Sequence, residues 1–406
     1  MRASVICVVG LGIALASVSA RSQQPSAAGA AVTIHAARLL DGTGKVLTNA
    51  TIEVRGGKIT AVDQRKGPYT YDLGDVTLMP GLIDVHTHFD WHFGPDGRYP
   101  ARNETPEQRR AAIEKNLSDT LMAGFTTIQN LGNAGDKAFR DEIAAGTLKG
   151  PRIITSLGQI QPRTPEELRE RVRQLKASGA DVIKIFASES IRTGGAPTMT
   201  VEQLEAACGE AKAQGLRSVV HAHAAEAIIR VVNAGCSQVE HGAYASDEAL
   251  ALMKAKGVFF DPNIGLVLQN YVENKDKYLS VTGSYTEEGF AFMEKAVGIK
   301  GEMFKRALKS GVRMPLGTDA VAGAHGQNAR EIISRVEEGQ PARDAVIGAT
   351  SLAAESLGLG KEIGTLAPGF AADIVAVAGD PLLDIKVMRT VTFVMKAGKV
   401  EKKGGQ

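Results

Sequence analysis

From Leu82 to Ala320 short apolar runs alternate with longer amphipathic stretches. The runs cover 82–88, 126–131, 152–158, 181–188, 217–223, 238–242, 258–265 and 313–320. Each is of strand length, too short for a helix of three turns. The stretches between them carry helical signals. In "TPEELRERVRQLKASG" Thr164 is placed to cap the first turn and Gly179 to end the last; in "TVEQLEAACGEAKAQG" Thr200 and Gly215 take those places. Eight such strands separated by helices predict an α/β chain folded as a TIM-like (β/α)8 barrel. The competing doubly wound sheet needs a Gly-rich phosphate turn after its first strand, and none follows Leu82–His88.

Both flanks have a different rhythm. "VTIHAARLLDGTG", "ATIEVRGGKITAVDQ" and "DVTLMPG" before the barrel, and "ADIVAVAGD" and "VTFVMKAGKV" after it, alternate apolar and polar residues between Asp-Gly, Gly-Gly and Pro-Gly turns. Neither flank is large enough to be stable alone, so 32–80 and 366–406 are expected to pair as one small β-sandwich beside a barrel at 81–365. Ahead of them, Arg2, the apolar stretch 4–17 and Val18-Ser19-Ala20 have the layout of a cleaved signal peptide over residues 1–20. An uncleaved anchor is the alternative. Residues 21–31 are a polar, small-residue lead-in expected to be disordered. The protein is therefore expected to be exported, periplasmic or secreted, with no membrane association once the signal is removed.

Composition narrows the partner. The formal charge is +2, from 47 basic and 45 acidic side chains, and no block of like charges suggests a nucleic-acid or membrane-surface patch. A small molecule is the expected ligand. Cys7 leaves with the signal, and Cys208 and Cys236 are expected to be two buried free thiols rather than a disulfide.

The chemistry gathers at one end of the predicted barrel. Side chains at i and i+2 of a strand share a face, so His86 and His88 in "GLIDVHTH" can both point inward at the end of strand 1. For two histidines alone a packed core is the better reading than a metal. Four other strands end in reactive groups, however: Lys184 in "DVIKIFAS", His221 and His223 in "VVHAHA", His241 in "VEHG" and Asp319 in "LGTDA". Lys184 interrupts an apolar strand, a costly place for an ammonium. The C-terminal ends of barrel strands are where active sites form, and five of eight histidines fall there.

These residues, with "PGLIDVHTH", "GTDA" and the closing "GTLAPGFAADIVAVAGDPL", resemble the amidohydrolase superfamily, in particular members whose binuclear metal centre is bridged by a carboxylated lysine. "IKIFASESIRTGGAPTMT" and "AHGQNAREI" are most similar to its imidazolonepropionase-like group, which includes metal-dependent Xaa-Pro dipeptidases and ochratoxin-hydrolysing amidohydrolases. The resemblance implies that His86, His88 and Asp319 hold one metal ion and His221 and His241 a second. Lys184, as a carbamate made with carbon dioxide, bridges them. It also implies His221 rather than His223 as the strand 5 ligand, with His223 contacting substrate or steering a developing charge. Zinc suits His and carboxylate ligands best, while manganese and cobalt remain open. Asp319 is implied as general base and then general acid, and the Gly-x-Ser-x-Gly elbow of a serine hydrolase is absent.

The expected function is an exported binuclear zinc hydrolase of an amide or peptide bond that releases an amino acid. Its substrate is then an Xaa-Pro dipeptide, an N-acyl amino acid or an ochratoxin-like amide. Arg192 can pair with a substrate carboxylate, Tyr244 with the same carboxylate or the oxyanion, His325 can close over the pocket, and Trp91 and His92 can line it. His35 is expected to be structural. The same site would also serve cyclic amides, esters or phosphoesters, and a silent binding barrel remains the alternative from another class, against which intact Lys184 and Asp319 argue. Barrels of this kind commonly assemble, so a homo-oligomer is expected.

Overall fold

The structure is a computed structural model that describes Met1 and residues 31–280, 283 and 285–404. The signal and lead-in expected at 1–31 therefore lie almost wholly outside the described residues. Strands β1 (Val32–Leu40), β2 (Val46–Arg55), β3 (Lys58–Asp63), β4 (Tyr71–Asp72) and β5 (Val76–Pro80) open the described chain. Next come β6 (Leu82–Thr87), β7 (Phe125–Asn130), β8 (Arg152–Thr155), β9 (Gln159–Ile160), β10 (Val182–Phe186), β11 (Arg217–Ala224), β12 (Gln238–Tyr244) and β13 (Phe259–Asp261). The last three are β14 (Ile374–Ala378), β15 (Val391–Lys396) and β16 (Lys399–Lys403).

The two ends of the chain do meet. They share one eight-stranded mixed sheet in the order β16-β15-β14-β5-β1-β2-β3, with β4 on β1, and its seam is the antiparallel pair β5–β14. One face of this sheet packs Met79, Val375 and Val394 against Leu82, Leu121 and Phe125 of the parallel part, which fixes the two relative to each other. His35 accepts the structural place expected of it, bonded to Asp72 and stacked on Tyr69.

The middle of the chain forms two parallel sheets, β6-β7-β8 and β13-β12-β11-β10-β9. Asp181 N–H donates to Thr155 O across the gap between them at 2.9 Å. On the other side the 313–320 segment bonds to both: Phe260 N–H to Arg313 O and Val85 N–H to Leu316 O, each 2.9 Å. This eighth run was expected as a strand, yet it carries only one isolated bridge, Thr87 with Ala320. The reason is local: Pro315 has no N–H to give, and Asp319 sits at φ 52°, outside the extended region. Asn263 at φ 45° likewise ends β13 early.

Helices follow the strands as their caps dictate. Thr105, Thr164 and Thr200 each close a reciprocal capping box with Gln108, Glu167 and Gln203. Gly179 and Gly215 take the left-handed conformation just past the two helices they were expected to end. One expectation is corrected: Cys208 and Cys236 are joined in a disulfide. Cys236 lies in the turn before β12 rather than in the strand, which lets it face the helix that carries Cys208. No described helix is long and apolar enough to cross a membrane.

Candidate metal centre

Parallel strands present all their C-terminal ends to the same side. The last residues of β6, β10, β11 and β12, together with the 313–320 segment, bring His86, His88, Lys184, His221, His223, His241 and Asp319 to one cavity of about 230 Å³. Lys184 is 1 % exposed and the histidines between 1 and 7 %, so this is a buried polar cluster in an otherwise apolar interior.

His86 shows how the cluster is tuned. Its Nδ1 lies 2.6 Å from Glu240 Oε2. A carboxylate accepts, so the ring proton belongs on Nδ1 and the Nε2 lone pair is left facing the cavity. That Nε2 is 3.4 Å from Asp319 Oδ1, and His88 Nε2 is 3.2 Å from the same oxygen. A tetrahedral zinc with bonds near 2.0–2.1 Å holds its ligand atoms about 3.3 Å apart. Both separations match that spacing, and the ligand atoms of the three residues lie within 4.8 Å of one another, a group compact enough for one divalent ion.

Electrostatics suit the same task. Burial, reinforced by Lys184, holds the His86 and His221 rings down at about 3, and burial drives His223 and His241 well below the usual histidine range. Neutral rings keep the lone pairs that a cation needs. Burial opposes ionisation of Asp319, but His86, His88 and Lys184 hold its carboxyl well below the ordinary carboxylate range. Lys184 makes no hydrogen bond or ion pair among the described residues, and burial lowers its amine from 10.5. The buried Nδ1 atoms of His88 and His223 also lack partners.

His221 gives its Nε2 to Glu189 O at 3.0 Å, leaving Nδ1 for the cavity. Its ring lies 4.6 Å from those of both His223 and His241. His241 and Asp319 both have positive φ, 69° and 52°. Non-glycine residues held there cost about 1–3 kcal/mol each, strain that gathers at functional sites. Gly195 is required for a related reason: a Cβ there would lie 2.6 Å from the His223 Cβ, so only glycine lets the 190–195 loop close on that ring.

A second carboxylate group, His86 with Glu240 and Asp261, is compact enough to hold an ion but is already satisfied. Gln238 donates to Glu240 Oε1 at 2.7 Å; Asn263 donates to Asp261 Oδ2, and Arg335 and Gly317 N–H to Oδ1. Burial pushes Glu240 up to about 7 and Asp261 well above its usual range. The work of the pair is to support His86. Sequence reasoning missed Glu240 and Asp261; the signal available was Gln238 and Glu240 at i and i+2 beside His241, polar on an inward face.

The expected substrate contacts divide. Arg192, on the 191–193 turn, lines the cavity with its guanidinium 4.4 Å over the Tyr285 ring, and Trp91 lines it while stacked on His88 and Tyr99. The other three are not brought there. His92 bonds Asp90 O and Glu104, His325 bonds Trp91 O at 3.1 Å, and Tyr244 packs against the apolar cluster around Ile191. The two histidines pin the Trp91 loop from behind. Lys300, Phe186, Gln159 and Tyr271 line the cavity without having been anticipated.

Against known proteins, the amidohydrolase family description matches residues 77–401. The chain belongs to the amidohydrolase family. It is accordingly a hydrolase acting on amide or peptide C–N bonds. Among its relatives, ochratoxinase from Aspergillus niger is 28% identical, over 92% of this chain and 87% of that one. The crystal structure of that ochratoxinase superposes with a TM-score of 0.78 at 26% identity, covering 92% of this chain and 96% of the other. A Xaa-Pro dipeptidase with methionine bound in its active site superposes at 0.83 with 28% identity, over 92% of this chain and 100% of that one.

Proposed function

We propose that this amidohydrolase holds two divalent ions, zinc by preference, and cleaves an amide whose leaving group is an amino acid with a free carboxylate. Xaa-Pro dipeptides and ochratoxin-like amides are the substrates that its relatives' names support, and N-acyl amino acids share the same amide and free carboxylate. The observation that carries this reading is the convergence of His86 Nε2 and His88 Nε2 on Asp319 Oδ1 in the cavity that also holds Lys184 and Arg192. His86, His88 and Asp319 would hold one ion, His221 and His241 the other. Lys184, whose amine once deprotonated can add carbon dioxide and release a proton, would hold both as a carbamate. Bound there, the ions would supply a hydroxide at neutral pH and polarise the scissile carbonyl. Asp319 would take the proton of the attacking water and hand it to the leaving nitrogen. His223, its ring stacked on His241, would face the carbonyl oxygen as negative charge develops there.

The reading extends to the scaffold. The two parallel sheets and the 313–320 segment would form a single eight-fold barrel, and the sheet from both chain ends would be its companion β-sandwich. Export through residues 1–20 is part of the same proposal, and amino-terminal sequencing of the secreted chain tests it. The function is tested by turnover of zinc-loaded protein on a panel of Xaa-Pro dipeptides, N-acyl amino acids, an ochratoxin-type aryl amide, esters and phosphotriesters. Preference for amides with a free carboxylate is expected. Activity confined to esters or phosphotriesters would overturn the substrate assignment while leaving the metal centre.

A further inference from the structure

The Glu287–Ser310 helix turns an apolar stripe inward through Met293, Ala296, Met303, Phe304 and Ala307. Lys300 occupies the same stripe. It is 2 % exposed, lines the cavity, and its ammonium donates to the backbone carbonyl of Asn263. No carboxylate lies within ion-pair distance of it among the described residues. A buried ammonium has three N–H groups to satisfy and strongly prefers an anion for a partner. One neutral carbonyl meets a third of that need.

The surroundings fix where the missing partner would come from. Asn263 is held by its side chain on Asp261 and Gly317 O, so its carbonyl is a rigid acceptor that aims the ammonium. The helix carrying Lys300 packs directly on the 191–193 turn that carries Arg192, and both cations open onto one cavity. Val267, Leu268 and Tyr271 line the same space, an apolar wall beside the two charges. A lysine kept for stability alone would be replaceable by an apolar side chain at little cost, or would have a carboxylate beside it.

We propose that Lys300 and Arg192 together receive the carboxylate of the substrate's amino-acid half, Lys300 as a point charge and Arg192 as a fork, with the apolar wall taking that amino acid's side chain. This deepens the function proposed above and rests on it, and makes Lys300 a specificity-determining residue. The probes are L-phenylalanine and L-phenylalaninamide, a product-like pair differing in structure only at the carboxyl end, compared at a pH about two units below the amide's α-amine pKa so that both amines are protonated. Their binding to zinc-loaded enzyme is measured by calorimetry for the wild type, Lys300→Met and Lys300→Gln, the last keeping length and a donor without charge. The wild type is expected to favour the carboxylate at least tenfold, and both variants to lose most of that preference while zinc content and Tm hold. A variant that keeps the preference within twofold, a wild type without one, or equal loss for both probes would overturn the anchor. Turnover on the amide panel is read separately. Preference in binding without turnover would keep the anchor and retire the proposed substrate class; turnover with Lys300 indifferent would keep that class and retire the anchor.

Discussion

Glu240→Gln removes one formal charge and almost no volume, yet it should weaken metal binding strongly. Gln238 Nε2 points at Glu240 Oε1 at 2.7 Å, so a glutamine at 240 keeps its oxygen on that side and turns its NH₂ toward His86. The bond at Nδ1 then runs the other way. His86 must accept there, its proton moves to Nε2, and the lone pair that faces Asp319 is lost. A buried hydrogen bond with a charged partner contributes about 1.5–3 kcal/mol. Losing an outer partner of a metal-binding histidine costs about 10- to 100-fold in affinity, roughly 1.4–2.7 kcal/mol, so the two scales agree. The assay is competition for zinc against a chelator of known affinity, run on metal-free protein whose Tm is recorded first. Glu240→Ala, which leaves the Nδ1 proton without an acceptor but does not force the other tautomer, should fall between Glu240→Gln and the wild type. Zinc affinity of Glu240→Gln within twofold of the wild type at unchanged Tm would refute the orientation of His86 by Glu240.

Other outcomes follow from the same geometry. Lys184→Ala should lose metal and activity together, and partial rescue of both by a short-chain carboxylic acid is expected; a variant that keeps two ions would remove Lys184 from the bridge. Replacing Cys208 and Cys236 by alanine should lower stability by about 3–4 kcal/mol, the loop-entropy value for a 28-residue separation, as read from urea unfolding. Wild-type protein indifferent to reductant would refute the pairing. Burial lowers Lys300 to about 8 from 10.5, so the folded state releases this proton earlier than the unfolded chain. Between those pH values the unfolded state binds more protons and stability rises with pH; in metal-free Lys300→Met that rise should flatten, as urea midpoints at pH 7.5 and 10 would show.

The parts of this protein legible in its sequence were those governed by local period and by chemical oddity. Strand and helix alternation follows from apolar runs whose backbone polar groups must be paired inside the chain, and the capping threonines mark helix starts through bonds made within four residues. His86, His88, His221, His241, Lys184 and Asp319 were visible because costly polar groups at strand ends stand out against apolar neighbours. Tertiary structure decided the rest. Glu240, Asp261 and Arg335 are remote from His86 in sequence and meet only when strands and helix assemble, so no spacing announces that network. Tyr244 is adjacent to a metal-site strand end yet turns to the apolar side, while Lys300, far from any motif, turns in. Local sequence sets what each element is and which of its faces is apolar. Only packing sets what those faces meet, because a side chain's partner is a matter of distance through space and not along the chain.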